Sequence, residues 1–492
     1  MRTALRALTS GALFALGLAA GTAASPAPGL ALSACELEHP LRLTVVPAEC
    51  GTLAVREGSP DSVGRVIFLR VARVPAISRS KRADPLFVLA GGPGFGAGDL
   101  YAAVAPAFAR IHRDRDIVLI DQRGTGRSHP LKCPFSEEDL YSAPGDQAAR
   151  EMQRCLAELA PASDVAWFTT SVAVQDLERV RAALGYPRID LYGASYGTRV
   201  AQHYLRRFPQ RTRTVVLDGV VPPRLAIGPE MALNAQRALD SILSRCARAP
   251  DCRAHFGDPN DAYRALRLAL DTEAVAVNLP DPTTGQPLLL KFTAQHLAGL
   301  LLRMSYQAEH AALLPLLLHE AHERHDYRGL AAQYLLAGHD DRLLATGMAQ
   351  SVLCAEDVPF YDPGTIDRAQ LSRTFLGTQQ VDNLISVCRF WPRGPIDRDF
   401  HAPLKSEVPV LLLSGSDDPV TPAAYAEEAR RGFAHSRHVV LQGFGHGQLT
   451  APCVDRLMAE FLERASVEGL DVSCVHAARP QAFFTSLNGP PP

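Results

Sequence analysis

Residues 189–199 read I-D-L-Y-G-A-S-Y-G-T-R, and no other stretch constrains the fold as tightly. Ile189, Leu191 and Tyr192 belong to a short apolar run of the kind that fills a buried parallel strand. Gly193-Ala194-Ser195-Tyr196-Gly197 then fits G-x-S-x-G. Behind it Val200, Ala201, Tyr204, Leu205 and Phe208 recur at helical spacing until Pro209 stops the run. A pentapeptide with two free positions also arises by chance in glycine-rich turns. Strand, sharp turn and helix together are the setting that lifts a serine hydroxyl clear of a sheet, so Ser195 is the candidate nucleophile.

The surrounding chain supplies the sheet. Three β-like runs, 41–46, 52–56 and 66–74, suggest an antiparallel entry. Two apolar strands follow, 85–90 and 117–120, with a helix predicted over 100–111 and a kink expected at Pro106. A second helix is predicted over 171–184, with Ser171 as N-cap and Gly185 as stop. Strands also fit 214–218, 408–413 and 438–441. Strands alternating with helices imply a mostly parallel, helix-covered sheet. Between 224 and 401 the strand signal nearly vanishes and helices are predicted, so this segment reads as an inserted helical cap, too long for a loop. The expected organisation is a core at 35–223 and 402–479, the cap at 224–401, and a loose tail at 480–492.

Arg2 and Arg6 precede an apolar stretch over 7–20, and Thr22-Ala23-Ala24 offers a cleavage site, so residues 1–24 read as a secretory signal peptide. Leu32-Ser33-Ala34-Cys35 has the form of a lipoprotein box. Pro26 and Pro28 separate it from the apolar signal core, and lipidation of Cys35 would strand Cys50, so a lipid anchor is disfavoured. Ten cysteines behind a signal imply disulfides in an oxidising periplasmic or extracellular compartment. Their connectivity stays open; pairing neighbours along the chain is one possibility. The absence of C-x-x-C pairs argues against zinc, and no metal or cofactor is called for. A net charge of −2 without a basic stripe argues against nucleic acid as a partner, and no later apolar run could span a bilayer after signal cleavage.

Four strand ends carry chemistry: Gly91-Gly92, Ser195, Asp417-Asp418 and His446. Ligands bind at the carboxyl ends of such strands, and Ser…Asp…His is the chain order of α/β-hydrolase triads. His446 can take the serine proton, and a carboxylate behind it fixes the tautomer. Asp418 is favoured as that acid; Asp417 and Asp218 are the alternatives. The amides of Gly92 and Tyr196 are the candidate oxyanion donors. Asp121 and Arg123 read as structural, His203 as a packed or surface histidine, and Asp176 and Glu178 as a solvated helix face.

L-A-G-G-P-G at 89–94, D-Q-R-G-T-G-R-S at 121–128, G-A-S-Y-G-T-R at 193–199, D-D-P-V-T-P at 417–422 and G-H-G at 445–447 together resemble the secreted tripeptidyl aminopeptidase and proline iminopeptidase group of serine exopeptidases. Ala90 stands where proline iminopeptidases typically have histidine. The resemblance implies an α/β-hydrolase fold with a helical cap. It also implies cleavage of peptide bonds near a free N-terminus through Ser195, Asp418 and His446. A small-ester or amide hydrolase is the alternative, and a catalytically silent binding protein a more distant one. An exopeptidase must locate its substrate's ammonium group, which needs a carboxylate. Glu356 and Asp357, adjacent acids in the insertion beside Cys354, are the sequence's candidates for that anchor; a solvated acidic turn is the other reading.

Overall fold

The computed structural model describes residues 30–59, 64–134, 145–337 and 343–489. The expected signal peptide at 1–24 lies outside them. Nine strands form one sheet, here labelled β1 (Ser33–Glu38), β2 (Val45–Arg56), β3 (Val66–Val74), β4 (Leu86–Leu89), β5 (Ile117–Ile120), β6 (Ile189–Ala194), β7 (Thr212–Asp218), β10 (Val410–Gly415) and β11 (Ser436–Leu441). Their spatial order is β1-β2-β3-β5-β4-β6-β7-β10-β11. β1, β2, β3 and β5 pair antiparallel, and every pair from β5 to β11 is parallel. The parallel strands are continuous apolar runs because both faces are covered. Phe87, Val118 and Leu412 face one cluster with α2 (Thr170–Ala183) and α3 (Tyr196–Arg207). Their neighbours Leu86, Ile117 and Leu411 face another, with α1 (Ala97–Val104) and the helix Val454–Arg464.

The antiparallel entry differs in register from expectation. Residues 41–44 form most of the connection into β2, which takes up 45 and 46, and the first strand lies at Ser33–Glu38. The helix expected over 100–111 is broken at Pro106 into α1, a 3₁₀ turn and a short helix. The N-cap position of α2 is Thr169 rather than Ser171, which lies inside the helix, where its hydroxyl accepts from the Asp397 amide at 3.0 Å and meets His203 Nε2 at 3.3 Å.

The insertion between β7 and β10 is not a single helical cap. Its first part has its own core, built on α4 (Met231–Arg248), the hairpin β8 (Val275–Pro280) and β9 (Pro287–Phe292), α5 (Ala294–Ser305) and the helix Leu314–Glu323. The β8–β9 hairpin is an element the helical reading missed. Its second part returns to the main sheet. Every residue of α6 (Thr346–Glu356) is buried, and Met348 and Val352 join the same cluster as Phe87 and Leu412. The tail expected to be loose also docks. Phe483 is buried with the Arg245 guanidinium 4.7 Å from its ring centre, and the Phe484 amide donates to the Ala312 carbonyl at 3.0 Å.

All ten cysteines pair with their neighbours along the chain: Cys35–Cys50, Cys133–Cys155, Cys246–Cys252, Cys354–Cys388 and Cys453–Cys474. The Cys354–Cys388 bridge closes 34 residues and staples α6 to the end of the helix Gln379–Val387. Replacing both cysteines by alanine is expected to lower stability by about 2–5 kcal/mol. The check is the midpoint of urea unfolding; an unchanged midpoint would show that packing alone holds α6.

Candidate active site

β6 delivers Ser195 at φ 55° and ψ −123°, a backbone state that side chains avoid. Two close approaches dictate the flanking glycines. A Cβ on Gly193 would lie 2.4 Å from the Gly197 carbonyl oxygen, and one on Gly197 would lie 2.4 Å from the Leu89 carbonyl oxygen. Tyr196 opens α3, so its amide is among the helix's unpaired N-terminal donors. The turn after β4 lies against the serine: a Cβ on Gly91 would sit 3.6 Å from Ser195 Oγ. Gly91, Gly92, Ser195, Tyr196 and His446 all line one cavity of about 770 Å³ between the sheet's carboxyl edge and the insertion.

His446 follows β11. Its Nδ1 lies 2.8 Å from Asp418 Oδ2, and a carboxylate only accepts, so Nδ1–H donates. The second ring nitrogen is thereby left as a base. Asp418 is fully buried and also accepts from the amides of Val420 and Thr421 and from the Thr421 hydroxyl, each at 2.8 Å. Burial alone would raise its carboxyl; His446 and these donors bring it below the ordinary value. For His446, burial favours the neutral ring, but Asp418 and then Asp218 outweigh it and raise the imidazole above its usual value.

The alternative acids are committed elsewhere. Asp218 ends β7 and accepts from the Gln448 amide at 3.0 and 2.8 Å and from the Tyr192 hydroxyl at 2.8 Å. Burial pushes it up to about 6. It therefore anchors the segment after His446 rather than the ring. Asp417 turns outward to Ser241 Oγ at 2.9 Å and Arg245 at 3.4 Å, tying α4 to the core. Thr421, which the motif reading passed over, holds both partners at once, with its Oγ1 3.0 Å from His446 Nδ1. Its place in D-D-P-V-T-P, three residues after the acid, was the signal available.

Glu356 and Asp357 do not reach the cavity, which corrects the expected ammonium anchor. Both are fully buried at the end of α6. Asp357 takes a bidentate pair from Arg199 at 3.0 and 2.9 Å, and Glu356 accepts from the Thr170 hydroxyl at 2.8 Å. Their charge is consumed inside the core. Asp176 is likewise no solvated residue: it is buried against Arg123 at 2.7 Å. Arg123 and Asp121 brace their loop as expected, Asp121 accepting from the amides of Gly98 and Arg127. His203 packs on Phe400 and meets Asp397 at 2.8 Å.

The raised imidazole sets a pH dependence. If His446 must be neutral to act, activity is lost as pH falls through a value above the ordinary ~6.5. The acid limb of kcat/KM on a neutral ester is expected there; a limb below 6 would mean that Asp418 does not govern the ring. Asp418→Asn is expected to cut kcat by roughly 10³–10⁴-fold, and Asp417→Asn to leave it within about threefold. The reverse order would place the acid at Asp417.

The profile of the family described as TAP-like protein matches residues 373–474, and that of the alpha/beta hydrolase fold matches residues 84–254. The chain is 27% identical to the serine protease Hip1 of Mycobacterium tuberculosis over 411 residues, 76% of this chain and 77% of that protein. It is 31% identical to the tripeptidyl aminopeptidase of Streptomyces lividans over 253 residues, 45% of this chain and 46% of the relative. It is 36% identical to carboxylesterase B of Mycobacterium tuberculosis over 227 residues, 42% of this chain and 43% of the relative. With an elbow serine, a buried Asp–His pair and both profiles on one sheet, the chain has the α/β-hydrolase fold and is similar to the TAP-like group within it.

Proposed function

We propose that this chain is an exported serine peptidase that removes short peptides from a free N-terminus. The observation that carries the reading is the buried Asp418–His446 contact beside an elbow serine, inside a cavity large enough for a peptide. Ser195 Oγ attacks the scissile carbonyl while His446 takes its proton. The amides of Gly92 and Tyr196 hold the oxyanion, and Asp418 steadies the imidazolium. His446 then returns the proton to the leaving amine, giving an acyl-enzyme on Ser195. Water, activated by the same histidine, releases the peptide acid and frees the serine. Similarity to a serine protease and a tripeptidyl aminopeptidase supports peptides as substrates. The signal-like N-terminus and five disulfides support export.

The ammonium anchor we assign to Glu230, at the entrance to α4. Among the described residues, four carboxylates line the cavity: Asp99, Asp218, Glu230 and Asp271. Asp218 is spent on Gln448 and Tyr192, Asp271 has Arg267 at 3.9 Å, and Asp99 lies in the field of Lys132 and Arg127. Glu230 accepts from the neutral Tyr425 hydroxyl, which in turn accepts from Asn234. A carboxylate held by neutral donors in a cavity wall is suited to a substrate cation. Ester hydrolysis is the second reading, favoured by the largely apolar wall and by similarity to carboxylesterase B.

A panel of chromogenic mono-, di- and tripeptide amides, free and N-acetylated, beside simple esters, separates these readings. A peptidase of this kind is expected to prefer the free amines; indifference to acetylation would support the esterase. Glu230→Gln is expected to raise KM for free peptides by about two- to fivefold, the worth of an ion pair at an exposed carboxylate. Acetylated peptides and esters should be unaffected, and equal losses on all substrates would remove Glu230 from this role.

A further inference from the structure

α5 crosses the cavity roof and presents Leu297, Ala298, Leu301 and Leu302 to it. Its last turn does something more specific. The His446 amide donates to the Tyr306 carbonyl oxygen at 2.7 Å, one of the orphan acceptors a helix leaves at its C-terminus. The Tyr306 ring stands edge-on to the imidazole, with centres 5.2 Å apart and planes at 77°. The preceding residue must be glycine for this to form. A Cβ on Gly445 would lie 2.4 Å from the Tyr306 carbonyl oxygen and 2.5 Å from that of Ser305. The contact is thus the reason for the first glycine of G-H-G, and it joins the insertion to the base of the reaction by a backbone bond.

We propose that Tyr306 is a positioning residue for His446, so that the insertion is part of the catalytic apparatus and not only a cover over the substrate. This rests on His446 being the base. Three groups then fix the ring. Asp418 and Thr421 set Nδ1 from the sheet side, and the end of α5 sets the backbone and one ring face. The negative end of the α5 dipole also faces a ring that becomes cationic when Ser195 gives up its proton, the favourable polarity for that charge. Because the same helix carries the apolar wall, seating a side chain against Leu301 or Leu302 bears on the element that holds the base.

The test uses the full-length enzyme and two readouts: the rate at which a short-chain fluorophosphonate labels Ser195, and kcat and KM on a small acetate ester. Neither probe fills the apolar wall, and neither depends on the chain being a peptidase. Tyr306→Ala is expected to slow labelling and lower ester kcat by roughly ten- to hundredfold, the cost of a base displaced by about an ångström. KM for the ester should change little, and Tyr306→Phe, which keeps the ring, should restore both readouts. Thermal melting confirms that the variants are folded. Should Tyr306→Ala prove misfolded, Gly445→Ala is expected to give the same loss in labelling by pushing the histidine loop off the helix end. Normal labelling and ester kcat in folded Tyr306→Ala, with KM raised only for peptides, would reduce Tyr306 to a wall residue and overturn the proposal. Failure to cleave any peptide would instead count against the proposed peptidase activity and leave these readouts intact.

Discussion

Ser195 is held in a conformation that costs on the order of 1–3 kcal/mol, and the structure around it is arranged so that the chain has no cheaper option. Its amide donates to the Asp218 carbonyl at 2.8 Å, so β7 fixes the residue from one side. Its carbonyl accepts from the Thr198 amide at 2.9 Å and from the Thr198 hydroxyl at 2.6 Å, so α3 fixes it from the other. Gly193 lets β6 approach the start of α3, and Gly197 lets α3 approach β4, to distances no side chain would tolerate. The strain is supported by the parallel sheet, and the sheet in turn depends on burial of one face by α2 and α3, which flank the elbow in sequence, and of the other by α1 and the helix Val454–Arg464. Function and fold share the same few ångströms of backbone.

The second organising constraint is ionic and lies under the site. Arg199, one turn into α3, is buried with Asp357 as a bidentate partner, Glu356 at 3.8 Å and the Phe400 ring at 5.7 Å. These groups come from the elbow helix, the end of α6 and the returning chain before β10. Removing one member would leave an uncompensated charge in the core, which is far costlier than the pair is favourable. Glu356 also ends a chain of hydrogen bonds through the Thr170 hydroxyl to the Tyr196 hydroxyl and Gln122. Tyr196, whose amide is the proposed oxyanion donor, is therefore braced from behind by Glu356, one of the two acids that the sequence suggested for substrate binding.

That contrast shows what a sequence can and cannot disclose here. The placement of Ser195, Asp418 and His446 beyond strand ends was legible because local pattern fixes position there. The sheet was legible for the same reason: continuous apolar runs of four to six residues have few other uses. Glu356 and Asp357 were misplaced because adjacent acids look solvated unless the partner is known, and Arg199 is more than 150 residues away, at |i−j| 158 from Asp357. Asp176 was misread in the same way, since Arg123 reaches it across the sheet rather than along the helix. α6 was assigned to the cap by sequence order, although its entirely buried surface places it in the core. The β8–β9 hairpin was hidden by its helical neighbours. The role of Tyr306 has no local signature, because its backbone carbonyl carries no residue identity and its ring meets His446 from a distant part of the chain.

In the proposed reaction Ser195 carries the acyl half of a peptide with a free N-terminus during turnover. The most direct measurement is mass spectrometry of the enzyme quenched in acid within the first turnover of a tripeptide p-nitroanilide. A covalent adduct of the tripeptidyl mass is expected at Ser195, absent in Ser195→Ala and accumulating in step with a burst of nitroaniline. An adduct on another residue, or release of nitroaniline with no covalent species at Ser195 under any quench time, would contradict it.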